Sequence, residues 1–114
     1  MPNHQADLDL TFQALADPTR RAVVERLGAG PASVSELAAP FEMALPSFLQ
    51  HLKMLEESGL VVTRKKGRVR SCRLNPAVLD RAEGWLDSQR QQWARRLDQL
   101  DDMLLDMKAK DTKR

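Results

Sequence analysis

The chain has few residues of several types, and each shortage excludes some classes of protein. It contains no tyrosine and only 4% aromatic residues, so its core must be built from Leu, Val, Ala and Met, which favours helices. Cys72 is the single cysteine, which excludes an intrachain disulfide and fits a reducing compartment. No apolar run approaches the roughly 18 residues of a membrane span, and the N-terminus lacks a signal pattern. We therefore expect one domain, in the cytoplasm, with no part in a membrane.

Residue patterns for enzymatic chemistry are also missing. The sequence shows no nucleophile with a plausible neighbouring base, no glycine-rich phosphate loop and no acid pair in an evident pocket. We expect neither enzymatic activity nor a bound cofactor.

A flexible N-terminus is expected at 1–7, followed by a first helix. The apolar residues of this helix recur with a helical period, at Leu8, Phe12 and Leu15. Asp17 and Pro18 suit the N-cap and the first position of a second helix at 18–27. That helix is expected to turn its charged residues outward, namely Arg20, Arg21 and Glu25.

Two further helices are predicted before the chain becomes extended. Ser33 and Glu36 form a capping box for a short third helix at 34–39. A fourth helix follows at 43–58, although its start has no good N-cap residue. Four apolar side chains spaced along one face of this helix are expected to pack on the core, namely Leu45, Phe48, Leu52 and Leu55.

The pattern then changes from helical to extended and back. Segment 60–74 is rich in β-branched residues around a central turn, which predicts a two-stranded ribbon. A long helix capped by Asn75 then runs to about residue 107, and a charged tail at 108–114 is expected to be disordered. A ribbon directly after a helix-turn-helix makes a winged helix. We expect a mainly α winged helix-turn-helix domain at 8–107, with a small two-stranded β-wing and the long helix at 76–107.

The exposed side of the fourth helix carries side chains suited to reading DNA. In a helix-turn-helix, the N-terminal turns of the second helix meet the base edges. Gln50 matches the N6 and N7 atoms of adenine, and Ser47 can bond to several bases or to phosphate. Leu49 can offer only an apolar contact to a thymine methyl, whereas Lys53 is better placed for phosphate. The alternative for each is an ordinary solvated residue.

A cluster of positive charge follows that helix directly. The net charge of the chain is only +2, yet residues 64–73 hold six Lys or Arg residues and no acid. A basic loop tip beside a reading helix suits phosphate or minor-groove contact. Strand alternation sends Arg64, Lys66, Arg68 and Arg70 to similar sides if the turn keeps the register. We assign phosphate contacts to His51, Lys53, Arg64, Lys65, Lys66, Arg68 and Arg70, with a half-buried structural histidine as the alternative for His51.

The last helix carries an apolar stripe with coiled-coil spacing. Successive members are 7, 4, 3, 4 and 3 positions apart, namely Leu86, Trp93, Leu97, Leu100, Leu104 and Met107. Part of the stripe can pack on the chain's own first helix, but it runs farther than a small domain can cover. We therefore expect a homodimer, whose twofold symmetry places two reading helices about one turn of DNA apart on a palindrome.

Four motifs follow one another along the chain: ALADPTRR at 14–21, SEL at 35–37, PSFLQHLKMLEESGLV at 46–61 and KGR at 66–68. In this order they resemble the arsenical-resistance regulator (ArsR/SmtB) family of dimeric winged-helix bacterial repressors. The resemblance covers about residues 8–105. It implies double-stranded DNA bound by the 46–58 helix and the wing, and a homodimer formed by the first and last helices. We assign its interface to Leu8, Phe12, Leu86, Trp93, Leu97, Leu100 and Leu104.

The resemblance also raises the question of metal, since many members of that family release DNA when a metal or arsenite binds. Their third-helix thiolate pair would fall where this chain has Val34, Ser35, Glu36 and Leu37. A last-helix site would need histidine, and none follows His51. One cysteine and two distant histidines cannot supply a soft-metal site. We expect a member of the family that does not respond to metal.

The leading function is therefore a sequence-specific DNA-binding repressor, and two other functions stay open. One is a winged-helix module for dimerisation and protein contacts, which would tolerate charge reversal throughout 64–70. The other is a regulator that responds to oxidation of Cys72. A cysteine beside core positions is more often a small buried apolar residue.

Overall fold

Five helices and three short strands make up residues 4–112 in a computed structural model, which describes the side chains of residues 7–111. Their order is α1 (His4–Leu15), α2 (Pro18–Leu27), β1 (Ala32–Ser33), α3 (Val34–Ala38), α4 (Leu45–Glu57), β2 (Val61–Lys66), β3 (Val69–Leu74) and α5 (Pro76–Thr112). The predicted mainly helical winged helix-turn-helix is confirmed, with α3 and α4 as the helix-turn-helix.

Two helix ends lie beyond the predicted ones. α1 begins at His4, within the segment 1–7 for which a flexible N-terminus is expected, and residues 1–3 lie outside the described residues. α5 continues to Thr112, so it includes residues 108–112 of the charged tail. Lys and Ala in this tail are good helix formers, and adding a residue to an existing helix is far easier than nucleating one. Residues 113–114 lie outside the described residues.

Local hydrogen bonds start α2 and α3, as the sequence predicts. Asp17 Oδ2 accepts the backbone amide of Arg20 at 3.0 Å, and Pro18 occupies the first turn of α2. Ser33 Oγ accepts the amide of Glu36 at 3.1 Å and donates to the carboxylate of Glu36 at 3.1 Å. Both caps need only neighbouring residues, so they follow from the sequence directly.

The sheet has three strands, which corrects the predicted two-stranded wing. β1 pairs antiparallel with β3, so the strand order is β1-β3-β2. Ala32 lies opposite Cys72, and Ser33 lies opposite Ser71. A strand of two residues shows no alternation of its own, and its partner lies far along the chain. The sequence pattern therefore contains no local signal for it.

The core gathers side chains from α1 to α4, from the sheet and from the start of α5. Phe48, Leu52 and Leu55 of α4 are buried in it, as predicted. Leu45 was assigned to the same face, but 55% of it is exposed. The turn before α4 supplies the apolar contacts there, since Phe41 and Met43 pack against the core. The other buried members of this cluster are Ala14, Val23, Leu27, Ala32, Leu37, Leu60, Val61, Cys72 and Val78.

The chain divides into two compact units, residues 1–82 and 83–114. In the second unit almost every described side chain is exposed, including those of the apolar stripe. None of the helices within residues 4–112 combines the length and hydropathy needed to cross a membrane.

Candidate nucleic-acid interface

One side of α4 presents polar side chains to solvent. Ser47, Gln50 and Lys53 are exposed, as the helical period predicts. Leu49 is only half-buried and packs against the core, beside the depression that α4 forms with Arg70. The two polar residues of the first turns, Ser47 and Gln50, are therefore the side chains freest to meet base edges.

The start of α4 is held by packing rather than by a cap. Ala44 occupies the N-cap position and makes no side-chain hydrogen bond to the helix. The ring of Phe48 stacks on that of Phe41, with centroids 5.7 Å apart and planes inclined by 28°. Pro46, in the first turn, has a φ already suited to a helix. The start of α4 therefore depends on packing against the core, and the sequence has no good N-cap residue at this position.

The end of α4 fixes where the wing begins. Ser58 is buried, and its hydroxyl donates to the carbonyl of Leu55 at 2.7 Å and accepts the amide of Leu60 at 3.2 Å. Gly59 has φ 83°, the left-handed conformation that commonly ends a helix. A methyl group there would also lie 3.3 Å from Val78. The turn from α4 to the wing is therefore held by two hydrogen bonds of Ser58 and by the backbone conformation of Gly59.

The wing is a regular hairpin with a two-residue turn. Its last pair joins Lys66 to Val69, so Gly67 and Arg68 form the tip. Gly67 has φ 62°, as the first position of such a turn requires. The register places Arg64 opposite Ser71 and Lys65 opposite Arg70. Arg70 therefore lies on the face away from Arg64 and Lys66, which corrects the expectation that these three share a side.

Arg70 forms an ion pair with Glu56 of α4. Its guanidinium donates to the carboxylate of Glu56 at 3.1 Å, across the gap between β3 and α4. Lys53 makes a looser pair with Glu57 at 3.9 Å, with both side chains mostly exposed. Exposed pairs of this kind contribute about 0.2–1 kcal/mol. Lys53 is thus free to exchange Glu57 for a phosphate, whereas Arg70 already has a function within the fold.

The sequence reasoning missed one cation of the wing, Arg73. It shares a face with Arg64 and Lys66, because Val62 lies opposite Arg73 in the register. These three side chains, with Ser71 and Pro31, line a shallow depression of about 350 Å³. Counting back from a two-residue turn at Gly67 would have placed Arg73 on this face.

His51 lies in a network beneath α4 rather than on its exposed side. Arg20 donates to the Nδ1 atom of His51 at 3.0 Å and to the carbonyls of Ala14 and Gln13 at 2.8 and 3.0 Å. Arginine has no acceptor, so Nδ1 accepts and the neutral ring carries its proton on Nε2. The network ties the end of α1 to α4. Arg20 is half-buried, not turned outward as predicted, and the half-buried alternative for His51 describes its position.

Asp17 completes this network. Its Oδ2 atom lies 3.6 Å from His51 Nδ1 and accepts the amide of Arg20. The hydrogen bond from that amide lowers the pKa of Asp17 below its ordinary value, against the opposing effect of burial and with a smaller contribution from the charge of Arg20. The carboxylate therefore stabilises the fold in its charged form.

Replacing Asp17 by alanine is expected to lower the free energy of unfolding by about 1 kcal/mol near neutral pH, because α2 loses its N-cap. A carboxyl group whose pKa is lowered on folding contributes stability above its ordinary value of about 3.9, and the contribution is lost as the pH falls through the folded-state pKa. Urea denaturation at about pH 7 and about pH 3 should show that the free energies of unfolding of the wild type and Asp17→Ala differ less at the lower pH. Asp17→Asn keeps a cap without the charge and serves as the control. If the two proteins differ by the same free energy of unfolding at both pH values, the charged carboxylate does not stabilise the fold.

The cysteine and the one histidine whose side chain is described are both held within the fold. Cys72 is fully buried, and burial raises the pKa of its thiol, with a further contribution from Glu56 and opposition from Arg70. A buried protonated thiol is a poor nucleophile. Within the described side chains, no group of three His, Cys, Asp or Glu residues could hold a metal ion. Cys72 thus lies in the core, and His51 is bound to Arg20.

The residues assigned to a dimer interface differ in exposure. Leu8 and Phe12 of α1 are half-buried. Along α5, Trp93 is 68% exposed, Leu97 61% and Leu104 54%. Other large apolar side chains of this helix are at least 45% exposed, namely Trp85, Leu86, Leu100, Met103, Leu105 and Met107. So much apolar surface on one helix is typical of an interface.

Known proteins resemble this chain in both sequence and fold. A helix-turn-helix domain family matches residues 15–64. The HTH-type transcriptional regulator Rv2034 of Mycobacterium tuberculosis is 48% identical over 71 residues, 62% of this chain and 66% of that protein. The transcriptional repressor SdpR of Bacillus subtilis is 31% identical over 75 residues, 66% of this chain and 83% of that protein.

A solved ArsR family transcriptional regulator is 52% identical, with a TM-score of 0.77, over 82% of this chain and 97% of its own. An ArsR-like transcriptional regulator from a Rhodococcus species is 31% identical, also with a TM-score of 0.77, over 87% of this chain and 93% of its own. These likenesses extend over the helix-turn-helix and the wing described above. The chain belongs to the ArsR family of winged helix-turn-helix transcriptional regulators.

Proposed function

We propose that this chain is a homodimeric repressor that binds a palindromic DNA operator and does not respond to metal. The observation that carries this proposal is that α4, with its exposed polar side chains, is joined directly to a basic hairpin. Ser58 and the Arg70–Glu56 pair hold the two elements together. SdpR is a transcriptional repressor, which supports the same direction of control here.

The exposed side chains divide into two roles. Ser47 and Gln50 stand on the first turns of α4, where base edges are read. Lys53, Arg64, Lys65, Lys66 and Arg68 are exposed cations that suit the phosphate backbone. Three assignments are left out because those side chains are engaged within the fold: Leu49 by the core, His51 by Arg20 and Arg70 by Glu56.

Dimerisation through α5 is supported by its exposed apolar side chains. Trp85, Leu86 and Trp93, with Gln89 and Arg90, line an open apolar depression of about 570 Å³ on this helix. A second copy related by a twofold axis would cover the same residues on both chains. Two reading helices brought together in this way would match a palindrome.

Independence from metal is supported by the chemistry of the available donors. The positions that resemble the family's third-helix thiolates carry Val34, Ser35, Glu36 and Leu37, none of which is a soft ligand. Arsenical resistance operon repressors are among the relatives, such as that of Escherichia coli, 37% identical over 68 residues and matched over 58% of its length. We infer that the DNA-binding unit is retained here and that the metal response is not.

The test begins with selection of bound fragments from random DNA, which should yield a palindrome. Gln50→Ala is then expected to weaken binding to the selected operator by roughly 5- to 150-fold, since a good side-chain to base contact contributes about 1–3 kcal/mol. Binding to unrelated DNA should change little. Arg68→Ala is expected to weaken both alike, because a phosphate contact carries no sequence information. Fluorescence anisotropy with labelled duplexes measures all four affinities.

The two substitutions control for each other. Both residues are exposed, so neither change should alter the urea midpoint of unfolding. Selection without a palindrome, or equal losses on operator and unrelated DNA for both variants, would contradict the division of roles. Full binding after charge reversal throughout 64–70 would favour a protein-interaction module instead.

A further inference from the structure

His51 of α4 lies between a hydrogen-bond donor and a hydrogen-bond acceptor that both come from the start of α2. Its Nδ1 atom is 3.0 Å from the guanidinium of Arg20 and 3.6 Å from the carboxylate of Asp17. An unprotonated Nδ1 can only accept a hydrogen bond, and a protonated Nδ1 can only donate one. The neutral ring therefore binds Arg20, whereas the charged ring can bind only Asp17.

The two arrangements require different positions of the ring. At 3.6 Å, the Oδ2 atom of Asp17 is too far from Nδ1 for a hydrogen bond, so a protonated ring must move toward it. The same ring must move away from Arg20, because a proton on Nδ1 would point at another donor and place two positive charges side by side. The side chain of His51 is 26% exposed, so it can exchange a proton with solvent.

Asp17 and Arg20 are the charged groups that contact the ring. Among the described residues, no ion pair other than that with Asp17 includes His51. The amide of Arg20 lowers the pKa of Asp17, so its carboxylate stays charged at every pH at which histidine titrates. The remaining charged groups described on α4 and on the elements packed against it are Lys53, Glu56 and Glu57 of α4, Asp7 and Asp9 of α1, Arg21, Glu25 and Arg26 of α2, Arg64, Lys65 and Lys66 of β2, and Arg70 of β3. Those that form ion pairs do so with partners other than His51.

The ring lies next to the residues assigned to base reading. Gln50 precedes His51 in the chain, and Ser47 lies one turn earlier on α4. Arg20 also donates to two backbone carbonyls at the end of α1, so it connects that end to His51. Loss of the hydrogen bond to Nδ1 removes a contact that holds the middle of α4 against α1 and α2.

We propose that Arg20 is a positioning residue for DNA reading, that it acts through the neutral ring of His51, and that protonation of His51 weakens operator binding. The proposal rests on the proposed DNA-binding function and adds regulation by pH, because histidine changes its charge between about pH 5 and 8. The sign of the effect is informative. A phosphate contact by His51, as expected from the sequence, would strengthen DNA binding as the ring becomes positive.

The test compares the wild type with His51→Asn and His51→Ala. The Oδ1 atom of asparagine can accept the hydrogen bond from Arg20 but takes up no proton, and alanine has no acceptor. Fluorescence anisotropy measures operator affinity from about pH 8 to about pH 5.5 at constant ionic strength. His51→Asn should bind like the wild type at the upper end of this range. The wild type should then lose roughly tenfold in affinity relative to His51→Asn as the pH falls, because a hydrogen bond from a charged donor is lost. His51→Ala should bind several-fold more weakly than His51→Asn at every pH.

Two controls restrict the effect to this ring. His4→Asn changes the other histidine of the chain and should keep the pH dependence of the wild type. Urea denaturation of each protein at both ends of the pH range separates loss of binding from loss of folding. Every other titrating group is common to the wild type and His51→Asn, so the ratio of their affinities reports on His51.

The outcomes separate this proposal from the function on which it rests. If the wild type binds its operator with the same pH profile as His51→Asn, protonation of His51 does not control binding, and the repressor function stands. If the wild type gains affinity relative to His51→Asn as the pH falls, His51 contacts phosphate and the positioning role is wrong. If His51→Ala binds as tightly as His51→Asn at about pH 8, the hydrogen bond from Arg20 does not position α4. If the wild type binds DNA at no pH, both proposals fail.

Discussion

Replacing Leu97 and Leu104 together by glutamate is expected to convert the protein into monomers. The two leucines are 61% and 54% exposed and lie seven residues apart on the apolar stripe of α5. In a dimer they would be buried, and each glutamate would then be a charge out of water without a partner. Loss of the second reading helix should weaken binding to the palindromic operator by about 10²- to 10⁴-fold, the range over which linking two binding units raises affinity. Sedimentation and operator titration measure the two effects.

A matched pair of substitutions separates the effect of losing apolar side chains on the stripe from the effect of adding negative charge. Gln92 and Gln99 are also seven residues apart on α5, but they point away from the stripe. Changing both to glutamate adds the same two negative charges and should leave assembly intact. A stable wild-type monomer at micromolar concentration would contradict the proposed dimer, as would dimers that survive the leucine changes.

Truncation of Phe48 to alanine is expected to lower the free energy of unfolding by about 3–5 kcal/mol. Its ring is 1% exposed, stacks on Phe41 and is the largest of the fully buried side chains. Removing it leaves a cavity beneath the start of α4, where no cap supports the helix. Small domains are stable by about 5–15 kcal/mol, so the variant should sit near the limit of folding. Urea denaturation at one fixed protein concentration measures the loss, because assembly also contributes to apparent stability.

Leu45→Ala is the control within the same helix. Helical periodicity assigns Leu45 to the core, but its exposed position predicts that the free energy of unfolding changes by no more than about 0.5 kcal/mol. If Leu45→Ala and Phe48→Ala lower the free energy of unfolding equally, Leu45 is buried as the helical periodicity predicts, and the exposed position described above is wrong. Retention of DNA binding by Leu45→Ala would further show that the start of α4 does not depend on Leu45.

The candidate interface follows only in part from the sequence. The exposure of Ser47, Gln50 and Lys53 is set by the period of one helix, so it could be predicted without knowledge of the rest of the fold. Arg70 could not be assigned in this way, because its partner Glu56 belongs to a different element. Arg73 was overlooked because strand faces depend on register, and the register was not known until the turn at Gly67 was seen to contain two residues.

The sequence by itself determined the features that arise between neighbours along the chain. The caps at Asp17 and Ser33, the glycines at helix and hairpin turns, and the motifs of the family are of this kind, since each needs only a few consecutive residues. Tertiary structure alone decided the third strand, the outward position of Leu45 and the network of Arg20 with His51. The third strand and the network depend on segments far apart in sequence, and the position of Leu45 depends on how the preceding turn packs against the core. Such packing and hydrogen bonds override local preference, so no local sequence pattern predicts them.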